Sequence, residues 1–219
     1  MNGANKTENS QIPPCILVAG VGGQGVISLA RLLGAIIYDL GEEITIGQLH
    51  GMAQRSGTVS SSIRIGEDAS THILAGSVDL LIGLDLMETC RHSSLLSRDG
   101  TIIALNSTHR RSPLLESTQP APANAALIKS LEGVAGNLNL LSLPDEDDSI
   151  SEDPGMALLG WAVVEGLLGL TSTEVRDGLQ RHLSSRRSDS GLLAFDNGAR
   201  LVVIDGTTEE ELTSGGVID

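Results

Sequence analysis

The chain has 219 residues and a formal net charge of −14, from 14 Lys+Arg against 28 Asp+Glu. That balance argues against nucleic acid or an anionic membrane as a partner, since both need a basic surface. With one Trp, one Tyr and one Phe beside 26 Gly, the core must be aliphatic, which fits a tightly layered α/β protein better than an all-β recognition domain.

Residues 1–12 are polar and are expected to be disordered; no secretory signal is visible in them. A single domain is expected over 13–205, followed by a flexible acidic tail at 206–219. The apolar run from Cys15 to Ala19 predicts a buried strand. Gln24 to Leu40 predicts a helix ended by Gly41, and Glu43 to Gly47 a second strand. His50 to Gly57 has neither periodicity and reads as a loop. Thr58 to Ile65 predicts a strand less buried than the first, followed by a turn at Gly66 to Ser70.

Val78 to Leu84 predicts another buried strand, with Asp85 capping a helix from Leu86 to Leu96. Thr101 to Leu105 follows as a strand, then a Ser/Thr/Pro/Arg-rich connection over Asn106 to Pro122. A helix is expected over Ala123 to Ala135, and a strand over Leu138 to Leu143. Pro144 to Pro154 is acidic and reads as a solvated loop, without the alternating ligand positions of a calcium loop. Gly155 to Leu170 predicts a buried helix, too short to span a bilayer. Thr171-Ser172-Thr173-Glu174 predicts a capping box for the next helix, to Leu183. The alternation predicts a Rossmann-like three-layer α/β fold: a mostly parallel sheet covered on both faces.

Two cysteines, Cys15 and Cys90, are too few for a four-thiolate metal or iron–sulfur site, and read as reduced structural residues of a cytoplasmic protein. The five histidines show no metal spacing. Asp85 and Glu88 read as helix N-terminal charges rather than an acid/base pair. No catalytic residue and no metal ligand is assigned. Only Lys6 and Lys129 are lysines, so the cations are nearly all Arg.

Gly20, Gly22 and Gly25 match the dinucleotide fingerprint in register, with Gly23 and Gln24 between them. The glycines permit a tight turn, and the following helix N-terminus attracts an anion. The acid that should end the second strand to hold a ribose is missing: Glu42 and Glu43 stand at that strand's start. The ATP-type loop fails too, because Val26 and Ile27 stand where Lys and Ser/Thr are needed. Two readings stay open, glycines that only allow tight packing and a turn that meets a phosphate-bearing ligand or partner segment. Downstream, Gly51-Met52-Ala53-Gln54-Arg55-Ser56-Gly57 carries an Arg able to pair with a carboxylate or phosphate. Arg55 either does so, beside Gln54, or pairs with an internal acid and shapes its loop.

Together the two segments resemble the gamma-type domain of the 2-oxoacid:ferredoxin oxidoreductases, in particular the small beta-type subunits that serve indolepyruvate or related arylpyruvates. That family shows Gly-x-Gly-Gly-Gln-Gly, matched by Gly20 to Gly25, and Gly-Met-(Ala/Ser)-Gln-Arg-Gly-Gly, matched by Gly51 to Gly57 with Ser56 in place of a Gly. Ser62 to Gly66, Val78 to Gly83 with Glu88, Met156 to Gly160 and Phe195 to Gly198 are similar to later family segments, so the likeness spans Ile16 to Gly198. Pro154-Gly155 stands where an Asn is common. The resemblance implies a small noncatalytic subunit that supports oxidative decarboxylation on a large alpha subunit. That partner would hold thiamine diphosphate, Mg2+ and iron–sulfur clusters and pass electrons to ferredoxin. Coenzyme A would sit at the interface, and this chain alone would bind no cofactor. Gly20, Gly22, Gly23, Gln24, Gly25, Gln54 and Arg55 are the expected ligand or interface contacts. The alternative is a free-standing nucleotide-binding module or NAD(P)-dependent dehydrogenase.

Overall fold

The computed structural model describes residues 11–50, 57–66, 70–108, 123–143, 153–184 and 188–204. Among them are seven strands and six α-helices, the order being β1 (Cys15–Val21), α1 (Val26–Asp39), β2 (Ile44–His50), β3 (Thr58–Ile65), β4 (Val78–Gly83), α2 (Leu86–His92), β5 (Leu96–Leu105), α3 (Asn124–Glu132), β6 (Asn137–Ser142), α4 (Pro154–Val164), α5 (Ser172–His182), α6 (Ser188–Asp196) and β7 (Val202–Val203). Short 3-10 turns at Ser93–Leu95 and Asn197–Arg200 precede β5 and β7.

The strands form one sheet in the order β2-β3-β1-β4-β5-β6-β7. β1, β4, β5 and β6 are mutually parallel, and β2 runs with them although it pairs only with β3. β3 and β7 run the other way. Five of seven strands therefore point in one direction, as the βα alternation predicts. The sequence pattern did not reveal that antiparallel β3 is inserted between β1 and β2, where a doubly wound fold would pair those two directly.

Alternation along β1 assigns the two faces. Ile16 and Val18 join Leu33, Ile36 and Ile37 of α1, Leu158 and Leu159 of α4, and Val175 and Leu179 of α5. Cys15, Leu17 and Ala19 join Leu86 of α2 and Leu127, Ile128 and Leu131 of α3. β1 is buried at every position, as expected of a strand covered on both faces. β3 is half-buried at its ends, hence less buried than β1.

Local signals set the ends of elements. Asp85 caps α2, its Oδ1 accepting from the N–H of Glu88 at 2.9 Å. Thr171 and Glu174 form the full capping box of α5. Asp153 caps α4, accepting from Met156 N–H at 3.2 Å, with Pro154 in the first turn. Helix α4 is apolar all round because it lies between the sheet and α6, and Gly155 to Val163 are buried throughout.

Several expected boundaries move. The helix foreseen to Leu170 ends at Val164, since Gly166 and Gly169 have φ of 72° and 62°, outside helical space. The helix foreseen from Gln24 begins at Val26, because Gly25 is left-handed. The helix foreseen to Leu96 stops at His92, and β5 starts at Leu96 rather than Thr101. β2 extends to His50, so that residue closes a strand instead of opening a loop. Helix α6 and strand β7 were not foreseen. The expectations for 1–10, 51–56, the 67–69 turn, the 109–122 connection, the 144–152 acidic loop and 205–219 lie outside the described residues.

Candidate functional site

The connection β1–α1–β2 runs toward one edge of the sheet, and β4–α2–β5 toward the other, over the opposite face. The C-terminal ends of β1 and β4 therefore flank a topological switch point, where open α/β sheets bind ligands. The glycine turn lies at that point. Gly23 and Gly25 have φ of 106° and 81°, with open space where a Cβ would project. A Cβ on Gly20 would instead meet Gln24 Oε1 at 2.7 Å and Val26 Cγ2 at 2.9 Å. Gly20 thus serves close packing, while Gly22, Gly23 and Gly25 are exposed.

Gln24 folds back into the crevice. Its Oε1 accepts from Val21 N–H at 2.7 Å and its Nε2 donates to the carbonyl of Leu84 at 3.1 Å. Leu84 N–H in turn donates to Ala19 O at 2.8 Å. The amide thus ties the end of β1 to the end of β4 and fills the space between them. Gly22 N–H donates to the carbonyl of Gly57 at 3.0 Å, so the turn is also joined to the end of the Gly51–Gly57 segment. Helix α1 begins here with no side-chain cap and no acid in its first turn. Among the described residues, no side chain caps its first N–H groups, which therefore stand as donors at this edge.

Arg91 and Thr58, which the sequence did not single out, complete it together with Glu88. Arg91, near the end of α2, donates from Nη1 to Thr58 Oγ1 at 3.2 Å and pairs with Glu88. Thr58 stands opposite Val21 in the β1–β3 register. Glu88 is only 3% exposed, and among the described residues its Oε2 has no partner. The spacing Glu88-x-x-Arg91 on one helix was the available signal. Further along the edge, Asn124 Nδ2 donates to Asn106 Oδ1 at 3.1 Å at the end of β5.

The structure brings Gly20, Gly22, Gly23, Gln24 and Gly25 together at the edge; Gln54 and Arg55 lie outside the described residues. The dinucleotide alternative loses its second anchor. Glu42 and Glu43 precede β2, at the end of the sheet opposite the turn, and β3 separates β2 from β1 by about 10 Å in all. No acid on β2 is thus placed for a ribose beside the turn.

Neither thiol is poised to bind metal. Burial pushes the Cys90 thiol up to about 11, with the Asp85 charge adding to it, and its Sγ donates to Leu127 O at 3.4 Å. Burial likewise raises Cys15, against the opposing pull of Arg64. Among the described residues no group of three or more His, Cys, Asp or Glu could hold a metal ion, so these residues do not fit an iron–sulfur cluster. No helix of the described residues is long and apolar enough to cross a membrane.

Solved structures share this architecture. The pyruvate oxidoreductase subunit PORC of Thermotoga maritima superimposes with a TM-score of 0.58 at 16% identity, covering 89% of this chain and 100% of that one. The 2-oxoglutarate:ferredoxin oxidoreductase of Magnetococcus marinus, described with 2-oxoglutarate, coenzyme A and succinyl-CoA bound, matches with a TM-score of 0.56 at 14% identity over 87% of this chain and 31% of that one. The fold is therefore one that these two oxidoreductase structures share. At the sequence level, residues 15–201 match the family "Pyruvate ferredoxin/flavodoxin oxidoreductase", and the chain belongs to that family. "Indolepyruvate oxidoreductase subunit IorB" of Methanothermobacter thermautotrophicus is 30% identical over 84% of this chain and 94% of its own length. "Pyruvate/ketoisovalerate oxidoreductases common subunit gamma" of Pyrococcus abyssi is 25% identical over 81% and 92%. The family resemblance read from the two glycine motifs is thereby borne out, and the chain is a small subunit of the 2-oxoacid:ferredoxin oxidoreductase class.

Proposed function

We propose that this chain is the noncatalytic small subunit of an indolepyruvate- or arylpyruvate-type ferredoxin oxidoreductase. The observation that carries this reading is the end-to-end similarity, at 30% identity, to a relative named as an indolepyruvate oxidoreductase subunit. The chemistry belongs to a large partner subunit, where thiamine diphosphate with Mg2+ would cleave the 2-oxoacid and iron–sulfur clusters would pass electrons to ferredoxin. With two cysteines in the whole sequence, this chain has too few thiolates to hold a four-thiolate cluster by itself.

Its own contribution is the glycine edge. Uncapped N–H groups of α1 and the exposed backbone of Gly22, Gly23 and Gly25 suit an oxyanion. Coenzyme A, which accepts the acyl group, brings such phosphates, and the Magnetococcus marinus relative is described with coenzyme A bound. Gln54 and Arg55 are proposed as further contacts to coenzyme A or the partner. Arg55→Ala is expected to weaken coenzyme A use or assembly with the fold intact. The test of the whole reading is turnover by the complex purified with this chain. Oxidation of indolepyruvate that needs coenzyme A and reduces ferredoxin, at a higher kcat/KM than pyruvate or 2-ketoisovalerate, supports it. Preference for pyruvate would move the chain to the pyruvate/ketoisovalerate group, and NAD(P)+-dependent turnover by the chain alone would replace the reading.

A further inference from the structure

We infer that Arg91 and Thr58 form the phosphate-recognising corner of the glycine edge, with Glu88 as the residue that positions Arg91. This rests on the proposed coenzyme A role, and it names the side chains that would read the charge.

Glu88 is 3% exposed, and among the described residues its carboxylate has one partner, Arg91. A buried carboxylate with a single cationic partner holds that partner far more firmly than a surface pair does. Arg91 is held a second time, by Nη1 to Thr58 Oγ1 at 3.2 Å. Both restraints act through Nη1, so among the described residues the Nε and Nη2 face of the guanidinium keeps its donors, and the side chain is 44% exposed. An Arg fixed on one side and open on the other is arranged for bidentate pairing with an oxyanion.

Its position matches. Thr58 lies opposite Val21, the residue before the turn, and Gly57 is bonded to Gly22. Arg91 is thus one residue removed from the glycine turn. The Thr58 hydroxyl accepts from Arg91, which leaves its own proton to donate outward. Among the described residues, Gly57 O is taken by Gly22 N–H and Glu88 Oε1 by Arg91, while the remaining carboxylate oxygen, Glu88 Oε2, is buried. The donors left to this corner among the described residues are the outer side of Arg91, the Thr58 hydroxyl and the uncapped N–H groups of α1. On a chain of net charge −14, a fixed guanidinium fork beside further donors favours a compact, strongly charged acceptor such as a phosphate or diphosphate.

The test uses the assembled complex. Arg91→Gln is expected to raise the KM for coenzyme A about tenfold with kcat within about twofold, and Arg91→Lys to recover part of it, since a point charge replaces a fork. Glu88→Gln keeps the shape and is expected to raise the same KM by a smaller factor. Inorganic pyrophosphate, titrated calorimetrically into the full chain, should bind wild type and lose binding in Arg91→Gln. An unchanged coenzyme A KM in Arg91→Gln overturns the inference. Failure of Arg91→Gln to assemble also overturns it, because Arg91 would then serve a partner carboxylate. A wild-type complex with no coenzyme A dependence, but with Arg91-dependent pyrophosphate binding, would keep the phosphate corner and remove the coenzyme A reading.

Discussion

The glycines of the turn after β1 and the glycines where α4 meets the last 3-10 turn are needed for opposite reasons. In the turn, Gly23 and Gly25 hold positive φ, and among the described residues nothing lies within 4 Å of where a Cβ would stand. At the crossing, space is what is missing. A Cβ on Gly160 would fall inside contact distance of the Phe195 carbonyl, and one on Gly198 would meet Trp161 N at 2.7 Å. The crossing uses glycine to bring backbones together, and the turn uses it to leave backbone exposed. A crossing of that kind stabilises the fold. Exposed backbone beside an uncapped helix does not, which is why the turn is the proposed contact site.

The largest effect should come at the crossing. Gly160→Ala is expected to destabilise the chain by about 3 kcal/mol, because the obstructing atoms are backbone and cannot rotate away. Chemical denaturation measures this, and a loss under 1 kcal/mol would mean the helices can separate cheaply. The sequence hid this contact. Gly160 sits in an apolar run that reads as helix, and Phe195 to Gly198 carried no period, so their meeting is purely tertiary.

The next effect is smaller and tests whether Gln24 is a ligand contact or a tie. Gln24→Ala removes two hydrogen bonds at the switch point and should cost about 1–3 kcal/mol. Gln24→Glu should recover little, since its second oxygen would face the Leu84 carbonyl. A stability equal to wild type in both variants, with a functional loss, would return Gln24 to the ligand side of the comparison.

The smallest effect lies far from both regions, at the C-terminal ends of α1 and α5. Asp39 accepts from His182 at 2.8 Å and pairs with Arg181 at 2.6 Å. The His182 hydrogen bond, helped by Arg181, holds its carboxyl below the ordinary 3.8. A lowered folded value stabilises the fold above the unfolded carboxylate value, and the benefit disappears as pH falls through the folded one. Asp39→Asn should therefore be slightly less stable than wild type at pH 5–7, with the difference closing below about pH 4. Unfolding midpoints across that range check it, and a difference that persists at pH 2–3 would assign the effect to packing.

Much of the site was legible because it is local. The strand–glycine–helix run from Cys15 to Leu40 announces itself by burial, turn chemistry and period within one stretch, and Asp85 and Thr171 announce their helices by capping. The illegible parts are long-range. Gln24 reaches Leu84 across 60 residues, and Arg91 reaches Thr58 across 33. The start of β5 carries Arg98 and Asp99 on its exposed end, which masks a strand behind a loop-like composition. Leu167, Leu168 and Leu170 carry the apolar pattern past the true end of α4, where only the backbone at Gly166 breaks it.

The central claim is that this chain works as the small subunit of a larger oxidoreductase. Anaerobic purification of the tagged chain from its own cells, with mass spectrometry and an absorption spectrum of what comes with it, tests that most directly. The account predicts a large, brown partner containing thiamine diphosphate. A colourless chain recovered alone would contradict it.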